Sequence, residues 1–168
     1  ERTFYKWAPE VSVSWRPTEQ HRHWVRASTG YSVPGFFNLT TGLDGLAGTN
    51  FSIKPQNNYN FEIGTDSKLH KTFGVRLVGF WVLVKNEIIT QVNSTTAGSF
   101  AINADSSQYR GVEASYDWRP APGWRVSGAY THIDAQYINF ADQFRVNGVG
   151  PVTQVLRDGK QVPNVARD

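Results

Sequence analysis

The chain has 168 residues, enough for one domain with a sizeable core, but its 18% charged residues fall below the roughly 25% of soluble domains. Aromatic residues reach 14%, with 6 Trp, 7 Tyr and 10 Phe, and many Trp and Tyr with few charges suit a surface whose rim lies at a membrane–water interface. There is no cysteine, which excludes disulfides and thiolate chemistry, and a net charge of +3 spread without a basic run gives no footprint for nucleic acid.

No apolar run approaches the ~18 residues of a spanning helix. The longest, Val75 to Val84, contains Arg76 and Gly79. The chain opens Glu1-Arg2-Thr3 and has no Met, so a piece of a longer protein is the simplest expectation. The mean hydropathy of −0.44 fits a barrel, whose lipid-facing and lumen-facing residues average to polar.

Taken in chain order, the elements show a period of two. Residues 7–16 set Val11, Val13 and Trp15 against Glu10, Ser12, Ser14 and Arg16. The turn Pro17 to His21 leads to 23–31, where Val25, Ala27, Thr29 and Tyr31 oppose Arg26, Ser28 and Gly30. A long polar segment, 32–57, carries Phe36 and Phe37. Strand 58–66 opposes Tyr59, Phe61 and Ile63 to Asn60, Glu62 and Gly64. After a short turn, 72–85 carries Phe73, Val75, Leu77, Trp81 and Leu83 on one side. A second long segment, 86–107, precedes 108–118, where Val112, Ala114, Tyr116 and Trp118 alternate with Glu113, Ser115 and Asp117. Pro120 to Gly123 turns the chain into 124–134, with Trp124, Val126 and Tyr130 against Arg125, Ser127 and Thr131. The third long segment is 134–168.

Short turns thus alternate with long polar segments. The pattern predicts an all-β, antiparallel transmembrane β-barrel fragment of about six strands, with short periplasmic turns and long extracellular loops. Val11, Val13, Val25, Ala27, Phe61, Ile63, Val75, Leu77, Val112, Ala114 and Val126 are expected to face lipid. Arg26, Glu62, Arg76, Glu113, Ser115 and Arg125 are expected to face the lumen. Trp15, Trp24, Trp118 and Trp124 flank the short turns and are assigned to an aromatic girdle. The alternative is a soluble β-sandwich binding module, for example for carbohydrate; a need for detergent separates the two.

Several segments resemble TonB-dependent receptors. Pro9 to Pro17, followed by Val25 to Pro34, resembles a hairpin of that family. Ile53-Lys54-Pro55-Gln56 with Tyr59 to Gly64 is similar to its Leu-x-Pro-Glu…Tyr-Glu-x-Gly segment, with Gln56 where Glu is usual. Phe80-Trp81 with Lys85 to Ile89, then Gly111-Val112-Glu113 and Gly159 to Pro163, follow in family order. The resemblance covers most of the chain and places it late in the barrel domain, over 1–168, without the plug domain or TonB-contacting box. It implies the bacterial outer membrane, its lipid as surroundings, and active uptake of a scarce solute, typically a ferric siderophore, energised through TonB acting on the missing plug. It implies a receptor and not an enzyme, and no cofactor is assigned.

Chemistry-bearing residues are sparse. His21 and His23 lack a third ligand, so no metal site is assigned. No Ser lies in a G-x-S-x-G context. Glu62, Glu113 and Asp117 with Arg26, Arg76 and Arg125 fit polar ladders lining a barrel interior. Solute contact is assigned to the loops, to Phe36 and Phe37 in the first and to Tyr137, Phe140, Phe144 and Arg145 in the last. There, exposed rings and a cation would suit an anionic ferric chelate.

Overall fold

A computed structural model describes residues 3–93, 95–144, 153–163 and 165. Six strands form one antiparallel meander in chain order: β1 (Glu10–Thr18), β2 (His21–Ser32), β3 (Gln56–His70), β4 (Phe73–Val92), β5 (Ser99–Trp118) and β6 (Val126–Asn139). A short helix, α1 (Phe36–Thr40), lies between β2 and β3, and β7 (Ala141–Phe144) pairs with β8 (Thr153–Leu156) as a separate ribbon. The six-stranded sheet does not close. No described helix is long and apolar enough to cross a membrane.

Period-two alternation becomes a two-faced sheet through the register. Directly opposed residues share a face, so Val11↔Ala27↔Phe61↔Trp81 and Val13↔Val25↔Ile63↔Gly79↔Val112 run across the sheet as rows. All eleven residues expected on the lipid side fall on this one face. It is bare: Ile63 is 64% exposed, Val13 63% and Val112 54%. No second sheet covers it among the described residues, so the sandwich alternative is not what the chain forms. Phe73 to Leu83 extends ten residues along β4, about 33 Å at ~3.3 Å per residue and near 25 Å of height at a ~40° tilt. That matches the apolar band of an outer-membrane barrel.

The other face is held by ion pairs. Arg26 bridges Glu10 at 2.8 Å and Glu62 at 3.5 Å; Asp66 takes Arg22 at 2.5 Å and Arg76 at 3.3 Å; Asp117 takes Arg119 at 3.4 Å and also Arg125. Arg26, Glu62, Arg76, Asp117 and Arg125 therefore line this face as expected, joined by Glu10, Arg22 and Asp66. Glu113 shares the face but has no ion-pair partner there among the described residues.

Three expectations are corrected. The segment 86–107 is mostly strand: β4 runs to Val92 and β5 starts at Ser99, because Ile88, Ile89, Val92, Phe100 and Ile102 keep β propensity between polar residues. The segment 134–168 begins with the rest of β6 and contains β7 and β8. Trp24 is not in the girdle. Arg26 and Glu62 define the inner face, and Trp24, two residues from Arg26, shares it, lying over Gly64 with the Arg76 guanidinium 5.4 Å from its ring centre. A Cβ at Gly64 would come within 2.4 Å of the Trp24 ring, which is why glycine stands there.

The pleat changes phase at Asn86. Lys85 lies over the Tyr59 ring on the bare face, whereas Glu87, two residues on, accepts hydrogen bonds from Ser107 and Tyr109 on the inner face. Strict alternation would keep both on one side. Asn86 takes φ of 53°, a left-handed conformation that asparagine tolerates, and Asn86 and Asp105 drop out of the ladder while the register continues at Glu87↔Ala104.

Candidate functional site

The long connections gather at the end of the sheet opposite the short turns. Above Asn86 the β4–β5 hairpin is covered on both sides. On one side lies 33–55: Asn50 donates to Ala101 O at 2.8 Å, and Asn103 accepts from Lys54 N at 2.7 Å while donating to Lys54 O at 3.0 Å and Asn86 O at 2.8 Å. At the tip, Asn93 donates to Leu43 O at 3.3 Å and Thr96 to Asp44 O. Gly45, with φ of 78°, meets Gly98 so closely that a Cβ on it would lie 2.4 Å from the Gly98 carbonyl. Two loops are thereby made one body.

This body presents Phe36 and Phe37. α1 has only five residues and no side-chain N-cap, and its Thr40 hydroxyl returns to Phe36 O at 3.0 Å. The two rings pack edge to face at 6.0 Å and are 75% and 79% exposed. They form the open aromatic surface expected of them.

The other side of the hairpin holds a small core. Tyr137 and Phe140 are each 6% exposed, their ring centres 4.9 Å apart, packed with Ala104, Ala135 and Val162. This corrects the reading of both as exposed loop rings. Tyr137 belongs to β6, pairs with Ser107 and so points inward, and the returning chain covers it, with Val162 N donating to Ala135 O and Tyr137 N to Lys160 O, both at 3.0 Å. Phe140 N donates to Asp158 at 3.0 Å. Phe144 ends β7, but its side chain lies outside the described residues, as does the whole of Arg145.

Beside this core a recess of about 660 Å³ opens, bordered by Glu87, Tyr109, Tyr137, Phe140, Arg157 and Lys160. Its two cations were not among the residues singled out from sequence, although Gly159 to Pro163 stood out as a landmark. At the turn end, His21 Nδ1 meets Ser67 Oγ at 3.0 Å and His23 packs on Trp15 at 5.6 Å. No group of three or more His, Cys, Asp or Glu that would hold a metal occurs among the described residues.

A single-layer meander, bare outside and ion-paired inside, with its long loops at one end, is the architecture of a large barrel wall. The family model for "TonB dependent receptor-like, beta-barrel" matches residues 1–168. The chain belongs to that family. Solved structures agree on the fold. The copper transporter OprC superposes with a TM-score of 0.65 at 12% identity over 77% of this chain and 20% of its own. The FrpB iron transporter from Neisseria meningitidis gives 0.61 at 20% identity over 79% of this chain and 20% of its own. The siderophore receptor PiuA from Acinetobacter baumannii gives 0.62 at 20% identity over 94% of this chain and 22% of its own. The TonB-dependent receptor segment described here thus spans about one fifth of the length of these relatives.

Proposed function

We propose that this chain is part of the barrel wall of a bacterial outer-membrane receptor that takes up a scarce anionic metal chelate, of the ferric siderophore class, with energy delivered through TonB acting on a plug. The observation that supports this most is the contrast between the two faces of one sheet. The outer face suits lipid, and the ion-paired inner face suits a polar lumen. Relatives of the same fold are named as iron, copper and siderophore proteins.

In this reading solute contact comes from the loop end. Phe36 and Phe37 offer stacking faces, and Arg157 and Lys160 bring positive charge to the recess. Tyr137 and Phe140 support the recess from below, while Phe144 and Arg145 remain candidates from their place in the last loop. The test uses the full-length receptor in its own membrane. Uptake of a radiolabelled ferric catecholate, a ferric hydroxamate and Cu(II) is compared with and without a functional TonB. TonB-dependent uptake of a ferric chelate, reduced by replacing Phe36, Phe37 and Lys160 together with Ala, supports the proposal. Uptake of none of the three, or uptake indifferent to TonB, overturns it.

A further inference from the structure

On the bare outer face one depression interrupts the apolar rows. It has a volume of about 690 Å³, is floored by Gly79, and is walled by Phe61, Ile63 and Trp81 on one side and by Arg110 and Val112 on the other, with His132 opposite Val112. Glycine is not demanded there by the backbone: its φ is not positive, and a Cβ would sit 3.6 Å from Ile63 Cγ2, an ordinary contact. What the missing side chain leaves is the depression itself.

The polar end of the depression is preorganised. Arg110 donates from Nε (3.1 Å) and Nη2 (2.9 Å) to one oxygen of Asp134, and Gln136 donates to both oxygens of Asp134 at 3.2 Å. This fixes the guanidinium plane and leaves Nη1 with no hydrogen bond among the described residues. Neither ring nitrogen of the half-buried His132 has one either. Arg110 lies eight residues along β5 from Trp118, which places it about 20 Å above that girdle residue in a band about 25 Å tall. That is the level where acyl chains give way to headgroups. A bare cation nearer the middle would cost ~2–4 kcal/mol, and near the interface ~0–1.

We infer that Gly79, Arg110 and His132 form a binding site for a phosphorylated lipid of the surrounding leaflet. An acyl chain lies in the depression against Phe61, Ile63 and Val112, and the phosphate meets Nη1 of Arg110 and a ring nitrogen of His132. Donors and shape both point to this occupant: Nη1 of Arg110, whose side chain is more than half exposed, and the His132 ring lie beside an apolar slot on the outer face, where a phosphate can accept from both. The inference rests on the reading that the bare face meets lipid.

The test uses the delipidated full-length receptor in detergent, with lipid retention read by native mass spectrometry and barrel insertion by heat-modifiable migration. The probes are a dioleoyl phosphatidic acid, the diacylglycerol with the same chains, and inorganic phosphate. Wild type should retain phosphatidic acid in preference to the other two. Arg110→Gln should lower that retention about fivefold, the weight of an exposed charged contact near 1 kcal/mol. Gly79→Leu, which fills the slot without touching the charge, should lower it comparably, and Arg110→Lys should keep most of it. Equal retention by wild type and Arg110→Gln, diacylglycerol held as well as phosphatidic acid, or inorganic phosphate bound as well as the lipid each overturn the site. A folded, heat-modifiable receptor that retains no lipid overturns the site alone. A receptor that never inserts overturns the membrane reading with it.

Discussion

Strands β4 and β5 pass through two different environments, and comparing their halves explains most of the molecule. Below Asn86 they are one layer thick, with Leu77 and Val112 exposed and Val75 and Ala114 half-buried on one side and charged residues on the other. Above it the same two strands are packed on both sides, by Asn103 and the 33–55 loop on one and by Tyr137, Phe140 and Val162 on the other. The lower half leaves its apolar burial to the solvent around it. The upper half buries its own, as a water-soluble domain does. Nearly all the buried apolar residues, Ile53, Val84, Ala101, Ala104, Ala135, Tyr137, Phe140 and Val162 among them, lie in or beside that upper half.

The sharpest way to break this comparison uses two valines of similar exposure, Val112 at 54% and Val92 at 66%. In the full-length receptor, Val112→Arg should cost roughly 2–4 kcal/mol near the midplane, and Val92→Arg within about 0.5 kcal/mol because water already surrounds it. Equilibrium refolding into liposomes measures both. Equal costs would mean the two halves share one medium.

Next in size is Asn103→Ala. It leaves the Lys54 and Asn86 carbonyls and the Lys54 amide without their partner, a local loss of about 1–3 kcal/mol. Hydrogen exchange should quicken together at residues 50–54 and 86–88, with β1 to β3 below the loops unchanged. Exchange that rises in only one of the two segments would show that they are not one body.

Asn86→Ala should cost about 1 kcal/mol for forcing an alanine into φ of 53°, and Asn86→Gly close to nothing. Thermal unfolding of the loop end, followed by limited proteolysis, separates the two. If Ala and Gly behave alike, the left-handed residue is not what turns the pleat.

The mildest probe leaves stability alone. Nitroxide labels at Val112 and Glu113, neighbours on opposite faces, should differ in collisions with oxygen, which partitions into lipid, and with a water-soluble nickel chelate. Matching accessibilities would remove the distinction between faces on which the whole comparison depends.

The lower half is legible in the sequence, since a bare apolar face on one side and an ion-paired face on the other impose a strict period of two and short turns mark its ends. All eleven outward residues were found by that parity. Trp24 was misplaced for want of it: its position beside a turn suggested a girdle, whereas counting two residues back from Arg26 puts it inside. The upper half obeys no such rule. Polar residues such as Asn86, Thr90, Asn103 and Ser106 interrupt the apolar alternation, so strand read as loop. Tyr137 and Phe140 looked exposed because their cover, around Val162, is more than twenty positions away in sequence. Arg157 and Lys160 were missed for the same reason: only the return of the chain against β6 brings them to the recess.

The phase change at Asn86 also sets how the chain tolerates length changes. A ladder that alternates strictly carries parity from end to end, so one residue added anywhere inverts everything beyond it. Asn86 and Asp105 act instead as a joint between two independent parities. A residue inserted between Asn86 and the hairpin tip would disturb only the sides on which Ile89 and Ile102 sit, leaving Trp81 and Val112 where they are. The same insertion between Phe73 and Lys85 would turn apolar residues toward the ion-paired face and charged ones toward the bare face. The loop end is thus free to vary in length and composition in ways that the wall beneath it is not.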